Sequence, residues 1–362
     1  NRCIGIGSKL NQINQPKKIF ILRNNDLGDV LVATPLVHGL KKAFPDSYIS
    51  LGVGDWAKSL LFNNPNIDEI ISCNAPWHNK QNCKFPANSP RTFLKGLLYV
   101  LFAKEAKYIT QHEFTHGIDV LGSRQGSWLL RRSKIANRFG VRGYAGGENW
   151  CQQYIEFKED RNVAKAGLAF LELMGANVDV EPRPIIQLSD TEIKSAENLW
   201  GQKQTKTKRI IIAPGGGFPE KCWGDSNYSK LAKLLLKNSS NLLGIIGSKE
   251  DVDRIPFTKT GQFMNLCGKL SLRESAALVS VADCVVTNSS LCMHLAGAFK
   301  VPSLTLLGDW YNSARLHKKQ WGYPEGMVTG KEISTKQESI TTPKEAWENL
   351  SNLLLRKSNL NC

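Results

Sequence analysis

Four stretches of the chain carry side chains at spacings that suit chemistry. His112, Glu113 and His116 spell H-E-x-x-H, which on one helix face would supply two zinc-binding imidazoles and a carboxylate base. RNNDLGD, residues 23–29, sets Asp26 and Asp29 around Gly28 directly after an apolar run. APGGGFPEKCWGD, residues 213–225, joins Gly215, Gly216 and Gly217 to Lys221 and Trp223. TNSSLCMH, residues 287–294, offers Asn288, Ser289, Ser290 and His294.

Context decides the first of these against chemistry. His116 runs straight into Gly117 and then Ile-Asp-Val-Leu-Gly, which reads as a loop entering a strand. A zinc site needs both histidines on a helix, a third ligand and an open position. None is evident, so no metal is assigned and HEFTH is taken as coincidence.

The other three stretches keep two readings each. Asp29, at the C-terminal edge of a parallel sheet, can accept a proton from a substrate hydroxyl, since ligands bind at that edge. Asp29 or Asp26 can equally do no more than cap the following helix. The glycine run allows close backbone approach to phosphate, and Lys221 adds a mobile cation suited to a diphosphate. A tight turn accounts for glycines as well, and the G-x-x-x-x-G-K-[ST] loop is absent. Asn288, Ser289 and Ser290 precede a helix and form an anion-binding start, while His294 is either a ligand contact or a packed core residue.

These loops need strands and helices to aim them. KIFIL and YISLGV flank a helical stretch ending at Ala43, and RIIIA and LLGII flank another around Tyr228–Lys237. Apolar runs alternating with helical patterns predict parallel sheets covered by helices. The expected fold is α/β: two Rossmann-like, doubly wound parallel-sheet domains facing across a cleft. The expected divisions are residues 1–182, a linker at 183–208 opened by Pro184 and its neighbour Pro182, a second domain at 209–341, and a terminal helix at 342–362. Thr342 and Pro343 start that helix as N-cap and first residue.

The 362 residues are 41% hydrophobic with a net charge of +15, which favours an anionic partner. No aromatic-basic stacking pattern or nucleic-acid motif accompanies that charge, so nucleic acid is not expected. Nine cysteines without a C-x-x-C point to a reducing compartment. No apolar run approaches the ~20 residues that span a bilayer, and the start lacks an apolar signal core, so a cytoplasmic protein is expected. The stretch PRTFLKGLLYVLFAKEAK is either a buried core helix or one that lies in a membrane interface, at the inner face of the cytoplasmic membrane. Arg124, Arg131 and Arg132 in GSRQGSWLLRR either meet phosphate or carboxylate groups of a ligand or form a solvated helix face.

In this order the segments RNNDLGDVLVATP, IDEII, HGIDVLGS, PGGG…KCW, LCGKLSLRESAALVSVADCVVTN and MHLAGAFKVPSLTLLG resemble glycosyltransferase family 9, the ADP-heptose:lipopolysaccharide heptosyltransferases. The resemblance implies the GT-B fold, with the acceptor on the first domain and the nucleotide sugar on the second. It implies an inverting transfer of a heptose-like sugar, with Asp29 as general base and Lys221 stabilising the leaving diphosphate. It further implies donor contacts from Gly215, Gly216, Gly217, Asp251, Leu270, Ser289, Ser290 and His294, and acceptor contacts from Gly28 and the arginines above. The co-substrate is a nucleotide sugar, ADP-linked by preference, with no cofactor or metal, and the acceptor is an anionic glycan such as a lipopolysaccharide core. One departure stands out. Family members commonly have D-[ST]-G where this chain has Ser289-Ser290-Leu291. A different donor sugar, or a non-catalytic nucleotide- or glycan-binding role, is the alternative.

Overall fold

A computed structural model describes residues 16–201, 206–256 and 261–360. Cys3, Cys362, the opening segment and part of the expected linker lie outside the described residues. In the first half, β1 (Lys18–Leu22), β2 (Tyr48–Val53), β3 (Glu69–Ser72), β4 (His116–Asp119), β5 (Asn137–Arg142) and β6 (Gln153–Glu156) form one parallel sheet. In the second half, β7 (Lys208–Ala213), β8 (Asn241–Ile245), β9 (Phe263–Asn265), β10 (Cys284–Thr287), β11 (Ser303–Leu306) and β12 (Gly326–Thr329) form another. The central strands read as unbroken apolar runs because helices cover both faces. Ile19 to Leu22 and Ile210 to Ile212 are fully buried.

The first sheet has the order β3-β2-β1-β4-β5-β6 and the second β12-β11-β10-β7-β8-β9. Counted within each half, both are the same doubly wound order, with chain direction across the sheet reversing at β1/β4 and at β7/β10. A crevice opens where the order reverses, at the C-terminal ends of the strands. The loops leaving β1, β7 and β10 are the three chemical stretches named above.

Local chemistry explains several element ends. The helix expected to run unbroken to Ala43 is split into Leu27–Val32 and Thr34–Ala43. Pro35 has no amide for the Leu31 carbonyl, which takes the Thr34 hydroxyl at 2.7 Å instead. The terminal helix, Pro343–Leu360, starts as expected: Thr342 and Glu345 exchange side-chain-to-amide bonds of 3.3 and 2.7 Å. It packs on the helix Asp225–Leu236 and so belongs with the second half. HEFTH is the end of a helix entering β4. His112 closes the helix Lys104–Gln111 and its Nε2 lies 3.1 Å from Glu69, while His116 is buried on the strand.

The stretch Pro90–Phe102 is a helix that is buried on one face only. Thr92, Gly96 and Val100 are buried against the first half, whereas the opposite face is open. Between the halves, the helix Asp190–Trp200 is started by a Ser189–Glu192 capping box and packs on the helix Leu272–Ser280. No disulfide joins the described cysteines.

Two arginines tie the halves together. Arg183 forks onto Glu325 at 2.9 and 3.0 Å and also reaches the Gly297 carbonyl. Arg273 holds Glu192 at 2.5 and 2.7 Å and donates to the carbonyls of Ser59 and Phe62 in the first half at 3.1 and 3.3 Å. The Arg273 guanidinium holds the Glu192 carboxyl down at about 2, below its ordinary 4.5. A carboxylate lowered in this way stabilises the fold fully above pH 4.5, and that contribution is lost as pH falls towards 2. Arg273→Gln should therefore lower unfolding free energy by about 3 kcal/mol at neutral pH. In urea titrations the difference from wild type should narrow between pH 4.5 and 2.

Candidate active site

The two sheet edges face one another across a cavity of about 1650 Å³. Gly28 and Asp29 line it from the first half. Gly215, Gly216, Gly217, Lys221, Asp251, Leu270, Ser289, Ser290 and His294 line it from the second. Residues nearly 270 positions apart in the chain thus meet in one space.

Asp29 lies in the first turn of the helix Leu27–Val32 and does not cap it. The buried Arg23 at the end of β1 donates from Nη2 to Asp29 Oδ1 at 2.9 Å and from Nε to the Asp29 carbonyl at 3.2 Å. This two-point hold fixes the carboxylate on the cleft wall. Asp26 occupies the N-cap position, yet its side chain makes no cap bond. It accepts instead from the Lys80 amide at 3.1 Å, with the Lys80 ammonium 3.9 Å away. Burial raises the Asp26 carboxyl above its ordinary value, against the pull of Lys80. Asp119, buried at the end of β4, is pushed up to about 6 by burial, with Arg23 opposing.

On the opposite wall the glycine loop after β7 is pinned from beneath. Asn288 Nδ2 donates to the carbonyls of Pro214 and Gly215 at 2.7 and 3.1 Å. Its Oδ1 accepts from the Trp223 amide at 2.9 Å and the Tyr228 hydroxyl at 3.0 Å. Asn288, expected to meet an anion, is thus buried and fully engaged as a clamp. Trp223 is likewise buried, its indole N–H bonded to the Thr341 carbonyl at 2.6 Å, and serves as an anchor beside the site. Asp251 is wedged against the same loop: a Cβ on Gly215 or Gly247 would stand 2.5 or 2.7 Å from its carboxylate. Its oxygens take Ser248 N–H and O–H at 2.8 Å each and Arg254 at 2.5 Å.

Lys221 ends a short turn, Pro219–Lys221, two residues before the Trp223 anchor. Its ammonium lies 4.2 Å over the Trp310 ring and 4.9 Å from that of Phe218. Burial lowers its basicity, and the nearby Lys80 lowers it further. Lys80 reaches across from the first half: its ammonium lies 4.4 Å over Phe218, and a Cβ on Gly217 would fall on it. Two cations and two aromatic rings therefore meet beside the glycine loop. A ligand with clustered negative charge would find the two cations close together, Lys221 partly desolvated.

His294 is a cross-domain contact. Its ring lies on Gly28, where a Cβ would be 2.8 Å from Cδ2, and its Nδ1 pairs with the Tyr323 hydroxyl at 2.7 Å. Burial lowers it to about 4, so the imidazole is neutral near pH 7. Ser290 starts the helix Leu291–Ala298 with its hydroxyl 2.9 Å from that of Thr287.

Arg124, Arg131 and Arg132 do not line the cleft. They lie along the exposed face of the helix Arg124–Arg132, and Arg131 stacks 4.6 Å over Trp150. Besides Arg23, the cations on the first half's wall are Lys80, Lys158 and Arg161, from loops after β3 and β6. Sequence reasoning missed these, along with Arg23 and His317, a buried cleft-wall histidine also lowered to about 4. Only Arg23 carried a usable signal, as the basic residue closing β1 six positions before Asp29. Lys80, Lys158 and Arg161 sit on loops without periodicity, and His317 lies on the short helix Ala314–Trp321.

A family model, glycosyltransferase family 9 (heptosyltransferase), matches residues 102–338. The lipooligosaccharide heptosyltransferase 2 of Haemophilus ducreyi is 24% identical over 304 residues, covering 79% of this chain and 81% of that one. The solved structure of the Escherichia coli ADP-heptose lipopolysaccharide heptosyltransferase II superposes with a TM-score of 0.70 at 19% identity, covering 94% of this chain and 99% of that one. The E. coli heptosyltransferase WaaC, solved with ADP-2-deoxy-2-fluoro heptose, gives 0.64 at 14% identity, covering 92% and 99%. The fold is therefore GT-B.

The Gly28–His294 contact makes a measurable prediction. Gly28→Ala should cost about 1–3 kcal/mol through overpacking against the imidazole. In a His294→Ala background, where the ring is gone, the same change should cost clearly less. A double-mutant cycle by thermal or urea unfolding reads that coupling directly, and equal costs in both backgrounds would rule the contact out.

Proposed function

The chain belongs to glycosyltransferase family 9, and from that premise we propose that it moves a heptose-like sugar from an ADP-linked donor to a hydroxyl of an anionic envelope glycan, such as a lipopolysaccharide core. The observation that carries the reading is the pairing across one cleft of Asp29, a carboxylate held by Arg23, with Lys221, a desolvated cation beside a glycine loop.

In this mechanism Asp29 takes the proton of the acceptor hydroxyl as its oxygen attacks the anomeric carbon. Arg23 occupies Oδ1 and orients the carboxylate, leaving Oδ2 for the substrate. The bond from the sugar to the diphosphate breaks on the opposite face, so configuration inverts. Lys221 meets the charge that builds on the leaving diphosphate, and its partial desolvation strengthens that contact in the transition state. The backbone amides of Gly215–Gly217 and the helix start at Ser290 contribute fixed dipoles to the same group. The Ser248–Asp251 turn and Leu270 border the nucleoside. Asp251 acts there chiefly by shaping the loop, since both carboxylate oxygens are engaged within the protein. Lys80, Lys158 and Arg161 supply the positive wall for an anionic acceptor.

One specific feature supports a second reading of the donor. Ser289-Ser290-Leu291 replaces an acidic residue with a hydroxyl at the cleft wall, which suits a sugar other than heptose. A thermal-shift panel with ADP, UDP, GDP and CMP separates the two. Stabilisation by ADP alone, reduced in Lys221→Ala, supports the first reading; UDP or GDP moves the donor elsewhere. No shift with any of the four at millimolar concentration would leave a non-catalytic role as the better account.

With the matching donor and acceptor, Asp29→Asn should lower kcat by about 10²–10⁴-fold while leaving the nucleotide-induced shift intact. Lys221→Ala should lower kcat by about 10²–10³-fold and weaken nucleotide binding too. Asp26→Asn is the control for the competing carboxylate: if it abolishes transfer and Asp29→Asn does not, the base has been misassigned.

A further inference from the structure

The helix Pro90–Phe102 presents its apolar side chains on the wrong face for a water-soluble protein. With Thr92, Gly96 and Val100 buried, the helical period puts Leu94, Leu98 and Phe102 on the opposite, outward ridge. They are 55%, 49% and 68% exposed, and Phe93 beside them is 41% exposed. Surface helices normally show polar residues there. The same outward ridge carries Arg91 and Lys95, whose cationic groups lie 5.4 and 4.8 Å from the Phe85 ring. They frame the apolar row with positive charge.

The charge of the surrounding segment is one-sided. From Asn74 to His112 the chain carries Lys80, Lys84, Arg91, Lys95, Lys104 and Lys107 against a single acid, Glu105. That acid is already engaged by Asn74, at 2.8 and 2.9 Å, and by the Tyr99 hydroxyl. An apolar ridge with basic flanks and no free acid is complementary to an anionic lipid surface, with the rings and leucines at acyl depth and the cations among headgroups. No described helix is long and apolar enough to cross a membrane, so the contact would be interfacial.

We propose that this face docks the protein onto an anionic phospholipid bilayer. The covalent connection gives the docking a use. Ser89, the N-cap of this helix, ends the loop whose other part puts His78, Lys80 and Gln81 on the cleft wall. A bilayer held against the helix therefore lies next in sequence to the wall that would receive an acceptor. That benefit rests on the glycolipid reading above; the docking surface itself does not.

The test is sedimentation of the full-length chain with vesicles of phosphatidylglycerol and phosphatidylethanolamine, against vesicles of phosphatidylcholine alone. Binding should be confined to the anionic vesicles and weaken with added salt. The variant Leu94→Asn/Leu98→Asn/Phe102→Asn should partition at least roughly ten-fold less, because it removes buried apolar area from the bound state only. Its melting temperature and nucleotide-induced shift should match wild type, since the three side chains are already exposed. Equal binding by the variant, equal binding to neutral vesicles, or no binding by wild type would overturn the proposal. A wild-type dimer that the triple variant converts to monomer would overturn it in favour of a second copy of this chain. If vesicle binding behaves as expected while no nucleotide shifts either protein, docking stands and the donor-site reading fails.

Discussion

One buried amide holds the cleft in shape. Asn288 donates to two carbonyls of the glycine loop and accepts from the Trp223 amide and the Tyr228 hydroxyl, so four groups on three segments converge on one side chain. Buried polar groups have to be paired, and Asn288 is itself 1% exposed. The glycine loop therefore cannot relax away from β10, and Trp223 cannot rotate out of the core. Lys221, two residues earlier in the chain, inherits its position from that anchor. Gly308 makes room for this arrangement, since a Cβ there would stand 2.4 Å from the Cys222 carbonyl. A loop fixed in this way presents its amides without further ordering when a ligand arrives, which is the main advantage of a preorganised site.

The cleft is also defined by how the halves meet. Each sheet has its own core, yet Leu31 and Leu60 of the first half join the apolar cluster around Ile211, Leu278 and Leu295 of the second. Around that apolar patch lie close contacts between single side chains: the His294 ring packed on Gly28, Lys80 over the Phe218 ring of the glycine loop, and Arg273 bonded to two carbonyls of the first half. Two of these three lie on the cleft wall itself. The same side chains that would touch a substrate thus also set the spacing between the walls.

Much of the architecture was legible in the chain. KIFIL, YISLGV and KRIIIA are apolar beyond what a half-exposed strand tolerates, which already implies strands covered on both faces. The Thr342–Glu345 cap was readable from two residues. The split at Ala33 follows from Pro35, whose missing amide interrupts the helix. The exposed ridge of Pro90–Phe102 was ambiguous for a physical reason. An apolar helix face has the same sequence whether protein covers it or not, and only the packing partner distinguishes the two.

The candidate site divides along the same line. Asp29, Lys221, the glycines and Ser290 could be marked from sequence because each sits at a strand's C-terminal end, where the doubly wound topology must put a loop. Their roles relative to one another were a different matter. Asn288 looked like a ligand group and is a clamp; Arg124, Arg131 and Arg132 read equally as an acceptor patch or a solvated face, and they do not line the cleft. The sequence by itself determined the central strands, their order of appearance and the loops that leave them, because those follow from local periodicity and turn chemistry. Which polar side chains are consumed by the protein and which are left for a ligand was decided only in three dimensions. Hydrogen-bond pairing between distant segments settles it, as between Asn288 and Pro214, 74 residues apart, and no local pattern encodes such a pairing.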